Sequence, residues 1–326
     1  MKTKQATALA HPNIAFIKYW GDKDPDLRIP VNGSLSMNLE SLYSQTTVEF
    51  DPELESDELL IGGRRPAENA IQRVNQFLDY VRHMAGFSTF AKVTSENNFP
   101  TGSGIASSAS GFAALGLAAS FAAGLELDQR ALSRLARRGS GSACRSVPGG
   151  FVQWLPGEDD ESSYAISIAA HDHWELHDCI AVVSKEHKET GSSAGHLLAE
   201  SSPLQNARIA DAERRLDMCR NAILNRDFQA FAEIVELDSN LMHAVMMTSE
   251  PQLYYWQPAT LDVMQSVIEW RADGFPVCFT IDAGPNVHVL TTGENSPAVM
   301  DKLNQIPGVL EVLIGQPGRE ARLINR

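Results

Sequence analysis

Residues 100–123, PTGSGIASSASGFAALGLAASFAA, set the tightest limit on the architecture of this chain. From Ala106 to Ala123 the stretch is small, apolar and free of charge, and Ala, Leu and Phe outnumber β-branched residues, which predicts a buried helix. Residues 100–111 supply three glycines, four serines and a threonine at the front of that helix. Unpaired N–H groups in its first turn, together with the positive end of its dipole, suit a phosphate. The pattern is not a Walker loop, since no lysine follows the last glycine. An N-capped helix packed closely through small side chains fits the same residues, so both readings stand on this feature alone.

Around that segment the chain reads as strands, then helices, then strands. Residues 15–18, 35–37 and 45–50 are short apolar or β-branched stretches separated by Gly, Pro, Asn and Asp, the pattern of an antiparallel sheet. A helix follows Pro66, with Ile71, Val74, Phe77, Leu78 and Val81 on one face. Residues 90–94 form a strand, and residues 128–138 a helix that leads into a second Gly/Ser-rich turn at 139–142. Strands are predicted near 150–154, 165–169, 179–184, 277–281, 287–291 and 309–314, and helices over 203–249 and 258–271. With 326 residues the chain suits two domains, divided near residue 185.

Composition narrows the partners. A net charge of −14, from 41 acidic against 27 basic residues, argues against nucleic acid and against an anionic membrane surface, while a small phosphorylated ligand can still be held in a local nest of donors. Cys144, Cys179, Cys219 and Cys278 form no CxxC pair and read as reduced, buried thiols. The N-terminal residues lack the apolar core of a signal peptide and no run reaches the roughly 18 apolar residues of a membrane span, so the expected location is cytoplasmic. His171, His173 and His177 cluster without metal-ligand spacing, and neither HExxH nor GxSxG occurs.

Three side chains stand out. Asp282 is delivered by the apolar run 276–281 into the turn Ala-Gly-Pro-Asn, where it can orient or deprotonate a hydroxyl in phosphoryl transfer or simply cap an Asx turn. Arg145, in the turn Gly139-Ser-Gly-Ser-Ala-Cys-Arg-Ser146, can clamp a carboxylate or phosphate through two parallel bonds or lie at the surface. Lys18, at the end of a strand, can pair with a carboxylate or meet an anion, or be solvated, with Tyr19 and Trp20 against a cleft wall.

Taken together, residues 13–21 (NIAFIKYWG), Asn97 to Thr101 with 106–111, 139–146 and 282–286 (DAGPN) resemble the mevalonate diphosphate decarboxylases. These belong to the superfamily named for galactokinase, homoserine kinase, mevalonate kinase and phosphomevalonate kinase (GHMP). Further similarity lies at Lys188-Glu-Thr and over residues 231–243. The resemblance implies an α+β, two-domain GHMP kinase-like fold, with antiparallel sheets covered by helices and the active site in the cleft between a nucleotide-binding domain, 1–185, and a C-terminal domain, 186–326. It implies that ATP with Mg²⁺ phosphorylates the 3-hydroxyl of a 5-phosphorylated mevalonate, after which phosphate and CO₂ are lost, and it implies a homodimer. By matched position Asp282 activates the hydroxyl with Lys18 beside it, and Arg145 and Asn13 hold the carboxylate. Ser140, Ser142, Tyr19, Lys23 and Lys188 fall on the substrate side, and Asn97, Pro100, Gly102, Ser103, Gly104, Ser107 and Ser108 on the nucleotide side. No metal ligand is assigned.

The departures concern the far end of the substrate. Asp22 stands where the family has a lysine directed to the diphosphate, and Ala194 where some bacterial relatives have an arginine. A carboxylate in place of a cation removes a charge-assisted bond and adds repulsion. The expected substrate is therefore 5-phosphomevalonate, with Lys188, Lys23 and Arg73 able to compensate toward the diphosphate. Gly102-Ser103-Gly104 replaces alanines with residues that keep the loop small. Rival readings are a 3-kinase without decarboxylation and a nucleotide-responsive regulatory protein lacking turnover.

Overall fold

In the computed structural model, which describes residues 4–99, 107–186 and 190–325, strands dominate the first part of the chain. They are β1 Lys4–Ala10, β2 Asn13–Ile17, β3 Asp22–Asp24, β4 Ile29–Pro30, β5 Ser34–Asn38, β6 Ser44–Phe50 and β7 Glu58–Ile61. Helix α1 (Glu68–Ala85), strand β8 (Ala91–Asn97) and helices α2 (Ser107–Ala122) and α3 (Gln129–Gly139) follow, with a 3-10 turn at Gly141–Ser146. Then come β9 Phe151–Leu155, β10 Tyr164–Ala169 and β11 Leu176–Val182. The helical segment comprises α4 Ser192–Leu198, α5 Gln205–Ala210, α6 Ala212–Asn225, α7 Phe228–Met247 and α8 Pro258–Ala272. The last elements are β12 Val277–Thr280, β13 Val287–Thr292, α9 Ser296–Leu303, β14 Glu311–Gly315 and β15 Arg322–Asn325.

The strands form three main sheets, ordered β15-β1-β6-β8-β7, β10-β9-β5-β2 and β12-β13-β11-β14, beside the small pair β3-β4. Every described pairing is antiparallel except β7 with β8. The mixed α+β class with antiparallel sheets is thus borne out. The sequence division near residue 185 falls after β11, which is hydrogen-bonded between β13 and β14 of the second half, and β15 returns to β1 of the first.

Each layer follows from local pattern. β6 alternates, with Ser44, Thr46, Val48 and Phe50 turned inward. Helix α2 lies on β1 and β6, where Ala113, Ala114 and Ala118 let its backbone come close to the sheet. Helix α1 buries Ile71, Val74, Phe77, Leu78 and Val81 in the same core and stops at Gly86, whose φ of 73° suits a residue without Cβ. Burying side chains such as Phe77 and Leu78 is worth about 1.5–3 kcal/mol each. In β2 all five residues are buried, because this sheet packs through Ile14, Phe16 and Leu35 against Ile180 and Leu290 of the third sheet and Phe231 of α7. A second face of the third sheet packs Phe279 and Val289 against Val263 and Val267 of α8.

All four cysteines are free and buried. His173 and His177 are engaged with the Ile223 carbonyl and the Ser296 hydroxyl, and among the described residues no group of His, Cys, Asp or Glu side chains is arranged to hold a metal ion. No helix among the described residues is long and apolar enough to cross a membrane.

The junction of α2 and α3 is tight. A Cβ on Gly139 would overlap the Phe112 ring, on which the Arg73 guanidinium also rests at 4.9 Å while donating to the Gly139 carbonyl. Gly139→Ala is predicted to destabilise the fold by about 1–3 kcal/mol, seen as a lower urea midpoint at an unchanged slope.

Candidate active site

β2 ends at Ile17, and the next residue, Lys18, is buried with Nζ 2.6 Å from Asp282 Oδ1. The pair joins the two halves of the chain, since Asp282 lies in the turn between β12 and β13. That turn is fixed from several sides. The Gly284 N–H donates to the Asp282 carbonyl at 2.7 Å, Asn286 Oδ1 accepts from the N–H groups of Val183 and Ser184 at 2.8 and 3.1 Å, and the Thr260 hydroxyl donates to the Pro285 carbonyl at 2.7 Å. The described partner of the carboxylate is Lys18, not the amides of its own turn. Burial alone would push the Asp282 carboxyl up; the Lys18 ammonium, with His288 and Arg145 behind it, overrides this and holds it below the ordinary carboxylate range. Burial likewise pulls the Lys18 ammonium down, against the attraction of Asp282. With 27% of its side chain exposed against 2% for Lys18, Asp282 is the member of the pair that a substrate can reach.

Arg145 lies beside this pair, near enough to act electrostatically on both members. It is 3% exposed and is held by neutral oxygens: Nε donates to Asn13 Oδ1 at 3.2 Å and Ser36 Oγ at 3.0 Å, and Nη1 donates to Ser34 Oγ. Trp154 flanks it, the guanidinium carbon 5.8 Å from the ring centroid. Asn13 is fixed in turn through Nδ2, which donates to Ser146 Oγ at 2.8 Å and the Ser142 carbonyl at 3.1 Å. Among the described residues Arg145 has no ion pair. A buried cation without a counter-charge is costly, and an anionic ligand relieves that cost.

The second Gly/Ser turn, which leads into Arg145, meets the start of α2. Ser108 Oγ is 3.2 Å from Ser140 Oγ, so the first turn of α2 touches the segment that carries Ser140 and Ser142. Asn97, the last residue of β8, accepts from Ser44 Oγ, which also lies 2.7 Å from Ser110 Oγ of α2. Ser107 and Ser108 therefore open α2 at this junction. Pro100, Gly102, Ser103, Gly104 and Lys188 lie outside the described residues.

Beyond Arg145 the chain builds a different surface. The Tyr19 ring stacks on His196 at 4.0 Å and meets Trp154 edge-on at 4.7 Å, and its hydroxyl donates to Asp22 Oδ1. Gly141 lies against this ring, where a Cβ would come within 2.6 Å. The Gly21 N–H donates to His196 Nδ1 at 3.0 Å, and burial pushes the imidazole down to about 3, so it is neutral with Nε2 as its donor. Burial raises the Asp22 carboxyl despite the Tyr19 hydrogen bond and the nearby Arg28. Lys23 is not brought to this place: its ammonium pairs with Glu158 in solvent. Arg28 and Arg73 donate to the carbonyls of Arg138 and Gly139, and neither has an ion pair among the described residues.

Two groups of site residues escape the sequence reading. Ser34 and Ser36, which cradle Arg145, alternate with Leu35 and Met37, and that period-two pattern in 34–38 was available as a signal. Asp238, whose Oδ2 accepts from the Lys18 N–H at 2.6 Å, is 220 residues away; it falls within the resembling stretch 231–243, but no local pattern names Lys18 as its partner.

Comparison with known proteins agrees over both halves. Residues 10–165 match the diphosphomevalonate decarboxylase-like N-terminal domain and residues 179–312 the mevalonate 5-diphosphate decarboxylase C-terminal domain. The chain is 38% identical over 329 residues to the diphosphomevalonate decarboxylase of Ganoderma lucidum, covering 92% of this chain and 82% of that one. It is 36% identical over 295 residues to the phosphomevalonate decarboxylase of Haloferax volcanii, covering 89% of each. MDDEF, solved in complex with MVAPP, AMPPCP and magnesium, shares the fold at a TM-score of 0.94 and 38% identity, over 99% of this chain and 100% of that one, and the mevalonate diphosphate decarboxylase from Enterococcus faecalis does so at a TM-score of 0.92 and 38% identity, with the same coverage. With both domains matched and a relative 38% identical over most of both chains, this chain belongs to the diphosphomevalonate decarboxylase family.

Proposed function

We propose that this chain catalyses the ATP-dependent decarboxylation of 5-phosphomevalonate to isopentenyl phosphate. The observation that carries the reading is the juxtaposition of a reachable carboxylate, Asp282, with a buried guanidinium, Arg145, that has no described counter-ion. Asp282 is suited to accept the proton of the tertiary 3-hydroxyl as that oxygen takes the γ-phosphoryl group, and Lys18 keeps the carboxylate ionised and aimed. Arg145 and Asn13 suit the substrate carboxylate. Once the new phosphate leaves with its bonding electrons, the tertiary carbon is electron-deficient. The electrons of the bond to the carboxylate then form the alkene and CO₂ departs. Arg145 must hold the carboxylate without stabilising it more than the transition state. Its cradle of neutral oxygens leaves the cation available to that carboxylate, with no described anion competing for it.

The start of α2, with Ser107 and Ser108 beside Ser140, fits a nucleotide phosphate. Since no described side-chain cluster is built for a metal, Mg²⁺ fits as an ion carried on the nucleotide phosphates, where it would neutralise their charge. MDDEF, solved with both an ATP analogue and magnesium, supports the same pairing here.

The Tyr19–Asp22 couple supports the monophosphate: by matched position Asp22 stands toward the diphosphate end of the substrate, where its carboxylate would meet the added negative charge of a second phosphate. Arg28 and Arg73, both without described counter-ions, are the observation that favours the diphosphate.

In one coupled assay 5-phosphomevalonate is turned over with a higher kcat/KM than 5-diphosphomevalonate and yields ADP, phosphate and CO₂ in equal amounts. Asp22→Lys shifts the preference toward the diphosphate by about 10-fold to 100-fold, the worth of one charged hydrogen bond. Equal efficiency for the two substrates would remove the role given to Asp22, and ADP without CO₂ would sink the coupled reaction. Asp282→Asn lowers kcat by about 100-fold to 10,000-fold with ATP affinity, measured by calorimetry, unchanged; a nearly active variant takes Asp282 out of its role. Finally, the carboxylate is the active form, so kcat holds at pH above the depressed Asp282 value and falls as pH drops through it. In Lys18→Gln the residual activity loses its acid limb at a higher pH than the parent, and an unmoved limb contradicts the pairing.

A further inference from the structure

Strand β12 stops at Thr280, so the Ile281 peptide, directly before Asp282, has left the sheet ladder while remaining fully buried. Buried backbone groups must find partners. Helix α7 supplies them: Ser239 Oγ accepts from the Ile281 N–H at 3.0 Å and donates to its carbonyl at 3.4 Å, and His243 Nε2 reaches the same carbonyl at 3.3 Å. Burial pushes the His243 imidazole down to about 3, so the ring is neutral and the nitrogen facing a carbonyl oxygen is its N–H. The Trp256 ring lies tilted against this imidazole, with the centroids 4.8 Å apart. Ser239 and His243 are four residues apart and so share one face of the helix.

The residue before Ser239 serves the other partner. Asp238 is fully buried, accepts from the Lys18 N–H at 2.6 Å through Oδ2 and is held through Oδ1 by Arg215 Nε at 2.7 Å. Arg208 completes the grip by donating to the Lys18 carbonyl at 2.8 Å.

We infer that α7 sets the geometry of the Lys18–Asp282 pair, with Asp238 fixing the Lys18 backbone and Ser239 and His243 fixing the peptide that carries Asp282. These are positioning residues, and the inference rests on the reading of Lys18 and Asp282 as the reacting pair. One rigid helix then determines the separation of two groups contributed by opposite halves of the chain. A displacement on the order of 1 Å at a reacting group costs about 100-fold in rate, so loosening either hold lowers kcat without removing any substrate contact.

The test compares His243→Leu, His243→Gln and Ser239→Ala with Asp282→Asn, using steady-state kinetics on whichever phosphorylated mevalonate the parent prefers. Gln can restore an N–H donor toward the Ile281 carbonyl, whereas Leu cannot. Expected are a fall in kcat of about tenfold or more for His243→Leu with KM for both substrates within about twofold, and recovery in His243→Gln to within about threefold of the parent. Should His243→Leu fail to fold, Ser239→Ala carries the same kcat-against-KM split. The inference is overturned if His243→Leu or Ser239→Ala keeps the parent kcat, if KM rises in step with the loss, or if Gln is as slow as Leu. A fully active Asp282→Asn instead overturns the reading of the reacting pair, whatever the α7 variants do.

Discussion

The buried contact between Lys18 and Asp282 is the interaction on which the arrangement of this molecule turns. An ammonium and a carboxylate removed from water are tolerated only when they meet each other and when the surrounding polar groups are satisfied. Here that requirement reaches far into both halves. The Lys18 backbone is held by Asp238 and Arg208, Asp238 by Arg215, and the Asp282 turn by Asn286 and Thr260. A contact made of two side chains thereby draws on β2, α5, α6, α7, α8 and β11.

Arg145 is arranged by the opposite logic. Its partners are hydroxyls and an amide, so its charge is hydrogen-bonded but not neutralised. One site thus combines a compensated ion pair with an uncompensated cation. The first provides a carboxylate whose ionisation is secure, and the second an unspent attraction for an anionic substrate group.

Much of this was legible in the chain, and the boundary of legibility has a physical cause. The uncharged run in 106–123 reads as a buried helix because Ala, Leu and Phe dominate it, and α2 occupies Ser107–Ala122. The apolar residues before Asp282 gave β12, because strand periodicity is local. What local pattern cannot encode is the partner supplied by distant chain. Nothing near Lys23 foretold that Glu158, 135 residues away, would take its ammonium, and nothing near Asp238 pointed to Lys18. The placement of β11 was hidden for the same reason: its apolar residues announce a strand, but its neighbours β13 and β14 lie more than a hundred residues later. Asp22 is the reverse case, visible in sequence as a departure from the resemblance, with its Tyr19 contact found only in three dimensions.

The pairing of β15 with β1 has a bearing on how the molecule is made. In the first sheet β1 has β6 on one side and receives its other neighbour from residues 322–325, so during synthesis that edge stays open after β6, β8 and α2 have emerged. An open edge is a template for unwanted pairing, and the interval lasts for most of translation. Completion of the first sheet is therefore postponed until the helical segment and the third sheet have been synthesised, which couples the maturation of the two halves in time as their shared ion pair couples them in space.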